Sequence, residues 1–249
     1  MGRKYKYPPV VESLCEFKFI SGQPWDITIP GLIYKEIGKK FPEKRQQTGI
    51  GVQFRATAKG VEHKIEPTPP RIQFHKKDKT ALIQVAPDLL VINQLKPYPI
   101  WDNFKSMILE NFQVYKEVAT PKGFKKISLR YINVFGFDKP QIELRDYFRY
   151  YPFIPEDLPQ IQESFLTRVE FPYGSGNEKL ILTLATIIPS RPNTLSLVLD
   201  IDYAMVKPEH ISLDAVPEWL DKAHERVENA FEASVTDKAR SLFEEEHKK

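Results

Sequence analysis

Apolar and charged side chains alternate in the N-terminal stretch KYKYPPVVESLCEFKF, residues 4–19. One parity holds apolar or small side chains, namely Val11, Ser13, Cys15, Phe17 and Phe19. The other parity holds charged side chains, namely Glu12, Glu16 and Lys18. A period of two is typical of a half-buried strand. The stretch therefore predicts a strand with one buried and one solvated face, not a reactive cluster.

The spacing within this strand also argues against a catalytic pair of carboxylates. Glu12 and Glu16 are four residues apart, roughly 13 Å on a strand, whereas the carboxylate pair of a glycosidase needs about 5 to 9.5 Å. Cys15 points to the apolar face, where a thiol behaves as a small hydrophobe. It is the only cysteine of the sequence, so an internal disulfide and a cysteine-based zinc site are both excluded.

Periodicity and turn residues predict the other elements. In the first half we expect a helix at 29–41, strands at 50–57, 71–76, 80–86 and 89–95, and a helix at 99–118, with KKDK (76–79) at a hairpin tip. In the second half we expect a strand at 126–137, a short helix at 141–151, strands at 162–172, 178–188 and 194–206, and a long helix at 214–246, with the turn GSGN at 174–177.

The repeated order of these elements predicts an α+β protein. The unit is strand–helix–antiparallel strands–helix, and it occurs in tandem, which indicates an internal duplication ending in a long C-terminal helix. Residues 1–120 form the first repeat and residues 121–249 the second, packed as one structural body. Trp101, Glu110 and Asn111 match Trp219, Glu228 and Asn229 at one fixed offset, which is thin support in itself.

Composition narrows the class of protein. The 249 residues are 41% hydrophobic and 28% charged, which is typical of a soluble globular protein. No apolar run reaches the roughly 20 residues that span a bilayer, and the N-terminus has no apolar signal segment, so we expect a cytoplasmic protein with no membrane contact. Residues 1–125 carry a balance of +9 and the rest −6, which favours an anionic partner, contacts between subunits, or simply a solvated surface.

Sequence motifs give little support to catalysis. The phosphate-binding P-loop, the dinucleotide glycine fingerprint, the nucleophile elbow and H-E-x-x-H are all missing, and we predict no cofactor. Asp200 and Asp202 share one face of a strand, roughly 6.6 Å apart. That separation suits metal binding or acid–base work, but a solvated outer face is the stronger interpretation, because no basic residue or histidine nearby in the sequence joins them.

The best metal-like group is Asp221, His224 and Glu228, which share one face of the last helix. Metal centres in helical bundles draw ligands from several helices. No other predicted helix carries a D/E-x-x-H segment like that of Asp221 and His224. His224 also borders the apolar stripe of its helix. We therefore favour a partly buried, hydrogen-bonded histidine at a packing seam and predict no metal.

Two sets of residues are candidates for binding. Arg130 lies on the parity of Ser128 and Ile132 in one predicted strand, while Tyr131 and Asn133 lie on the other parity. Asn133 needs hydrogen-bond partners if it is buried. Ligand contact and structural satisfaction both remain open for these residues. Basic residues cluster in four places, several beside aromatic side chains that could stack on bases. The clusters are Arg3, Lys4 and Lys6; Lys39, Lys40, Lys44 and Arg45; Lys76, Lys77 and Lys79; and Lys122, Lys125 and Lys126.

Three stretches resemble a known family of prokaryotic proteins of about this length. PPVVESLCEFKF resembles its N-terminal strand, SLRYINVF its LRYIN core strand, and AHERVENAFEASVTDKARSLF its long C-terminal helix. Ser128 replaces the usual glycine before LRY. The family is distributed sporadically, as genes of mobile elements, defence systems or toxin–antitoxin pairs are. The resemblance implies no catalytic residues and no settled function.

The favoured interpretation is a non-enzymatic binding or scaffold protein that acts through protein–protein contacts or self-association. The long stripe of the C-terminal helix is the expected contact surface. The alternatives are a nucleic-acid-binding protein that uses the basic surfaces of the N-terminal half and an enzyme that uses the Asp200 and Asp202 region or the face of His224.

Overall fold

A single antiparallel sheet dominates the computed structural model, which describes residues 3–22, 24–57, 60–161 and 163–244, without the side chains of 48–69. Its nine strands are β1 (Val10–Ile20), β2 (Glu43–Thr57), β3 (Gly60–His75), β4 (Ala81–Ala86), β5 (Leu89–Leu95), β6 (Gly123–Phe137), β7 (Leu166–Tyr173), β8 (Glu178–Ile187) and β9 (Leu195–Met205). They lie in the order β2-β3-β4-β5-β1-β6-β9-β8-β7. The predicted mixture of helices and antiparallel strands is confirmed.

The helices pack on one face of this sheet. They are α1 (Ile29–Ile37), α2 (Trp101–Ala119), α3 (Leu144–Tyr147), α4 (Val216–Ser234) and α5 (Asp237–Arg240). Phe17 of β1 stacks on Phe112 of α2 with ring centroids 4.9 Å apart. The ring centroids of Tyr203 in β9 and Trp219 in α4 are 6.1 Å apart. The main core lies between these helices and the sheet. We call the other side of the sheet the helix-free face.

The alternation in the opening strand is confirmed. Ser13, Cys15, Phe17 and Phe19 of β1 are buried against the helices, while Glu12 and the other charged side chains lie on the helix-free face. That second face is not simply solvated, however. Leu89 and Val91 of β5 are buried there in a smaller cluster with Ala86, and Leu14 packs against them. The helix-free face is therefore partly buried, although less completely than the helix side, and it carries the charged side chains of β1.

β1 and β6 form the centre of the sheet and pair with each other. The remaining strands of the first half extend from β1, and those of the second half extend from β6. The two halves thus share one sheet, with β2 and β7 at its edges. The duplication and a boundary at residue 120 stay predictions.

The prediction of one long C-terminal helix was wrong. α4 ends at Ser234, because Val235 is extended (φ −109°, ψ 150°) and forms a bridge with Phe148. Thr236 then begins α5, and its side chain accepts a hydrogen bond from the Ala239 amide. The sequence SVT places two β-branched residues and a good N-cap at the break. The short helix expected at 141–151 likewise contracts to α3.

Some predicted boundaries moved by a few residues. β2 begins at Glu43, seven positions before the predicted strand, and α1 ends at Ile37 although its apolar stripe continues to Phe41. Within the described ranges, none of the helices is long and apolar enough to cross a membrane.

Candidate functional site

The helix-free face carries a strip of paired charges where β6 lies beside β9. Arg130 of β6 donates from Nε to Oδ1 of Asp200 at 2.7 Å, and its Nη2 donates to Oδ2. This two-point contact matches the planar guanidinium to the carboxylate. The hydrogen bond from Arg130 to Asp200 raises the pKa of the guanidinium, which therefore keeps its charge. Sequence reasoning had flagged both residues without connecting them.

A second charged group lies beside this pair. Lys126 of β6 places Nζ 3.4 Å from Oε1 of Glu16 and 3.9 Å from Oδ2 of Asp202. Oδ1 of Asp202 is buried and has no hydrogen-bond partner among the described residues. Burial raises the pKa of this carboxyl, while the charges of Lys126 and Arg130 oppose the rise. Asp200 and Asp202 are thus half-buried and lie beside cations from β6. Our expectation that these two carboxylates are solvated was wrong.

An amide ladder continues the strip across the first half of the sheet. Gln73 donates to Gln47 at 2.8 Å and to Gln84 at 3.3 Å, Gln84 donates to Asn93 at 2.9 Å, and Asn93 donates to Glu12 at 2.6 Å. These hydrogen bonds join β2, β3, β4, β5 and β1 through their side chains. Buried polar side chains need such partners. Apart from Oδ1 of Asp202, the polar groups named here are engaged with one another, so the strip is a structural lattice.

The three candidate binding residues of β6 lie on two faces of the sheet, as their parity predicts. Arg130 lies on the helix-free face, whereas Tyr131 and Asn133 are buried on the helix side. Oη of Tyr131 lies 2.6 Å from Oη of Tyr98, and Nδ2 of Asn133 donates to the carbonyl of Leu199 at 3.1 Å. Adjacent strand residues alternate between faces, so the trio is split. The structural interpretation of Asn133 holds.

The weak metal candidates are engaged otherwise. Nζ of Lys105 lies 2.7 Å from both carboxylate oxygens of Asp221. The ring of His224 stacks on Trp101 with centroids 4.1 Å apart, and burial lowers the pKa of His224 to about 4. In the part of the chain that the structure describes, no group of three His, Cys, Asp or Glu side chains is arranged to hold a metal ion. His224 lies in the seam between α2 and α4.

Two of the predicted basic clusters meet at one end of the sheet. Residues 39–45 follow α1, and β2 then pairs with β3 so that Glu43 lies opposite His75, next to the turn at 76–79. Nζ of Lys44 lies 4.1 Å from the ring centroid of Tyr34, and Nζ of Lys76 lies 5.9 Å from that of Phe41. These lysines lie over aromatic rings in cation–π contacts.

Other members of the basic set lie apart. Lys40 is paired with Glu110 at 2.6 Å, and Arg45 occupies the parity of β2 opposite to Lys44. The cluster at 122–126 lies at the other end of β4, because Nζ of Lys125 is 3.3 Å from Asp88 in the turn after that strand. Six residues of β4 separate the two ends by roughly 20 Å. The predicted lysines therefore lie on separate surfaces at the two ends of the sheet.

A groove of about 440 Å³ lies beside the two clusters that meet. Its lining includes Trp25, Ile27, Tyr34, Phe74, Lys44 and Gln46. This volume is within the range of small-ligand pockets, although the groove is open and largely apolar.

The open edge of β7 is a feature that sequence reasoning missed. In the described part of the chain, β8 is the strand that pairs with β7, and nothing pairs with its other side. Val169 and Phe171 remain 37% and 40% exposed on the helix side of this strand. Of fifteen exposed large hydrophobic residues in the described chain, nine lie between residues 151 and 188. They are Tyr151, Phe153, Leu158, Ile161, Leu166, Val169, Phe171, Ile187 and Ile188.

A buried carboxylate holds α4 next to this edge, and it too was missed. Glu178 is only 1% exposed. It accepts hydrogen bonds from Oη of Tyr203 at 3.0 Å, from Nε1 of Trp219 at 2.8 Å and from Nζ of Lys222. Burial works to raise the pKa of Glu178, but these three donors outweigh it and lower the pKa. The group is a structural anchor whose donors come from β9 and α4, far away in sequence.

Comparisons with known proteins add little. No protein-family model matches the sequence, and no curated protein matches it either. Among solved structures, the chain is similar to that of the S. pombe Pct1 RNA triphosphatase, with 9% sequence identity, coverage of 95% of this chain and 82% of that chain, and a TM-score of 0.15. A TM-score this low does not define a shared fold, so the likeness carries no argument.

Proposed function

We propose that this protein acts as a binding or scaffold protein and that it engages another polypeptide at the open edge of β7. The observation that carries the proposal is an edge strand with unpaired backbone groups, on which Leu166, Val169 and Phe171 leave large apolar side chains exposed. An exposed edge strand is a template for pairing with another chain, and a peptide that adds to such an edge gains main-chain hydrogen bonds.

Burial along the second half supports this choice of surface. Soluble proteins rarely leave contiguous apolar patches uncovered unless the patch contacts something. The C-terminal helix, which we had expected to offer the contact, packs on the sheet: Val216, Leu220, Ala223 and Val227 of α4 are buried. The charged strip is a poorer candidate, because Arg130, Lys126 and their carboxylate partners are already matched to one another.

A photo-reactive amino acid placed at position 171 in the full chain tests the proposal in the native host. We expect a covalent adduct with a polypeptide at 171. The same probe at Leu32, an exposed apolar position on α1, is the matched control and should give none. Substituting Glu170→Pro removes a backbone donor from the edge while Pro is tolerated on edge strands, and it should abolish the adduct. Equal labelling at 171 and 32 contradicts the proposal.

A second candidate, nucleic-acid binding, is favoured by one observation. Lys44 and Lys76 lie over Tyr34 and Phe41 beside an aromatic-lined groove. Cationic groups that follow a phosphate backbone and rings that stack on bases are the two components of single-strand binding. This end of the sheet has both, because Trp25 and Tyr34 are partly exposed, although Phe41 is buried. The cluster at 122–126 lies far from the groove.

Fluorescence anisotropy of a labelled single-stranded oligonucleotide, measured over a range of salt concentrations, tests this candidate. Lys44→Glu and Lys76→Glu should each weaken binding and reduce the salt slope by about 1. Lys125→Glu, at the opposite end of the sheet, should leave both unchanged. Binding that is absent, or that does not depend on salt, removes the candidate.

A further inference from the structure

The backbone N–H and C=O groups of β7 point alternately toward β8 and away from it, and one hydrogen bond shows which residues point which way. The amide of Thr186 in β8 donates to the carbonyl of Phe165 at 3.0 Å, so the carbonyl of Phe165 faces β8. Backbone groups of alternate residues point the same way in an antiparallel ladder. Those of 167, 169 and 171 therefore face β8, and those of 166, 168, 170 and 172 face outward. Pro172 falls in the outward set, where its missing N–H breaks no hydrogen bond of the sheet.

The side chains of the outward-facing residues carry opposite charges around one apolar residue. Arg168 and Glu170 flank Val169 and lie on the same face of β7, where Nη2 of Arg168 is 2.5 Å from Oε1 of Glu170. A twofold axis through Val169 would place Arg168 of one chain opposite Glu170 of another, and the reverse. Opposite charges directly across a strand pair are favourable, and like charges are unfavourable.

The backbone fits the same register. Arg168 and Glu170 both present an N–H and a carbonyl outward, so each facing pair would exchange two hydrogen bonds. The amide of Leu166 would reach the carbonyl of Pro172 in the second chain, and the ladder would end there. On the helix side, Val169 would meet its own copy, and Phe171 would cover Thr167 of the second chain. One operation satisfies the open backbone groups and covers the exposed apolar side chains. Arg168 and Glu170 already pair within one chain, and Glu170 also pairs with Lys179, so the axis adds a second opposite charge beside each of them without supplying a missing partner.

We propose that the polypeptide bound at this edge is a second copy of the same chain, paired through β7 about a twofold axis at Val169. This inference rests on the proposed function, since it names the partner at the surface assigned there. The product is one continuous antiparallel sheet made from both copies. Such an interface is isologous and closes after two subunits.

Charge exchange tests the register in solution. Light scattering coupled to size exclusion should report a dimer for the natural chain. Arg168→Glu and Glu170→Arg each place like charges across the axis and should raise the dimer dissociation constant at least about tenfold. An equimolar mixture of the two single variants restores opposite charges in every facing pair and should dimerise. The double variant R168E/E170R should also dimerise, and circular dichroism confirms that every variant is folded.

Disulfide trapping tests the axis. Residues facing each other in a non-hydrogen-bonded pair have Cα atoms about 4.5 Å apart, which is within the range of a disulfide. Val169→Cys should therefore cross-link to its own copy under mild oxidation, while Thr167→Cys, which would face position 171, should not. The natural Cys15 is fully buried and gives no background in the folded protein.

The outcomes distinguish an error in the identity of the partner from an error in the location of the binding surface. A natural chain that stays monomeric at high concentration, or a dimer that persists in both R168E and E170R, overturns the proposal. If the probe at position 171 nevertheless captures a different polypeptide, the proposed function stands and the identity of the partner is wrong. If the chain is monomeric and the probe at 171 captures nothing, both are wrong.

Discussion

The substitution Glu178→Gln tests whether one buried carboxylate fastens α4 to the sheet. Glu178 accepts from Tyr203, Trp219 and Lys222 and is almost completely buried. Glutamine has nearly the same volume, but one of its two terminal atoms is an amide nitrogen that donates. It must therefore face at least one donor without accepting from it, and its remaining bonds lose the assistance of a full charge.

The magnitude follows from the count of lost bonds. A hydrogen bond to a charged group contributes about 1.5–3 kcal/mol, and a buried donor left unsatisfied costs about 1–3 kcal/mol. Lys222 is 45% exposed, so water replaces much of its contact, and the ion pair itself is discounted. Trp219 is buried and has no such alternative. We expect Glu178→Gln to lower the free energy of unfolding by about 2–4 kcal/mol at pH 7.

Urea unfolding followed by circular dichroism measures the change. Glu110→Gln is the matched control, because Glu110 forms an exposed ion pair with Lys40, which should contribute about 0–1 kcal/mol. The pKa of Glu178 is lowered in the folded state from 4.5, so its contribution is present above pH 4.5 and is lost as the pH falls through the folded pKa. The gap between the natural chain and E178Q should narrow there. A loss no larger than that of E110Q at pH 7 refutes the reasoning.

Four further predictions concern other titratable or capping groups. Asp202→Asn should leave the free energy of unfolding at pH 7 unchanged or increase it, because the raised pKa of Asp202 makes its ionised form costly. Asp200→Asn should lower the free energy of unfolding by about 1 kcal/mol, because it weakens the ion pair with Arg130. This value is discounted because Arg130 is 41% exposed. His224→Phe should reduce the loss of stability between pH 6.5 and 4 in urea titrations, because the lowered pKa stabilises the fold above 6.5 and this is lost as pH falls. Thr236→Ala should cost about 1–2 kcal/mol by removing the cap of α5, whereas Thr236→Ser, which keeps the hydroxyl, should cost less.

Period-two alternation made the sheet predictable. In β1 the residues Cys15, Phe17 and Phe19 fall on one face, and the buried face was assigned correctly because burial on a strand depends mainly on parity. Helix ends were harder to predict. The stripe of α4 continues past Ser234 in the sequence, yet Val235 leaves the helix to pair with Phe148. The β-branched pair and the cap at Thr236 permit a break there, but the bridge to Phe148 is a tertiary contact, which local propensity does not report.

The charged strip shows the same limit for the candidate site. Arg130 and Asp200 are 70 positions apart, and their meeting depends on β6 pairing with β9, where Arg130 lies opposite Asp202. Alternation correctly put Asp200 and Asp202 on one face. It could not identify the neighbouring strand or show that the strand would supply cations. Parity predicts the direction of a side chain, but strand order determines what it contacts.

The two edges of the sheet are unequal, and this inequality selects the form of assembly. β2 has 15 residues and β7 has 8, so pairing β7 of one copy with β2 of another would leave an unused β7 on one chain and an unused β2 on the next. Such a head-to-tail contact propagates into an open filament unless its rotation closes a ring. Pairing β7 with β7 uses the same short edge twice and stops. The outward carbonyl of Pro172, which has no N–H to accompany it, limits the ladder at the same residue in both copies. An edge that pairs with itself and then ends is an edge protected against further aggregation.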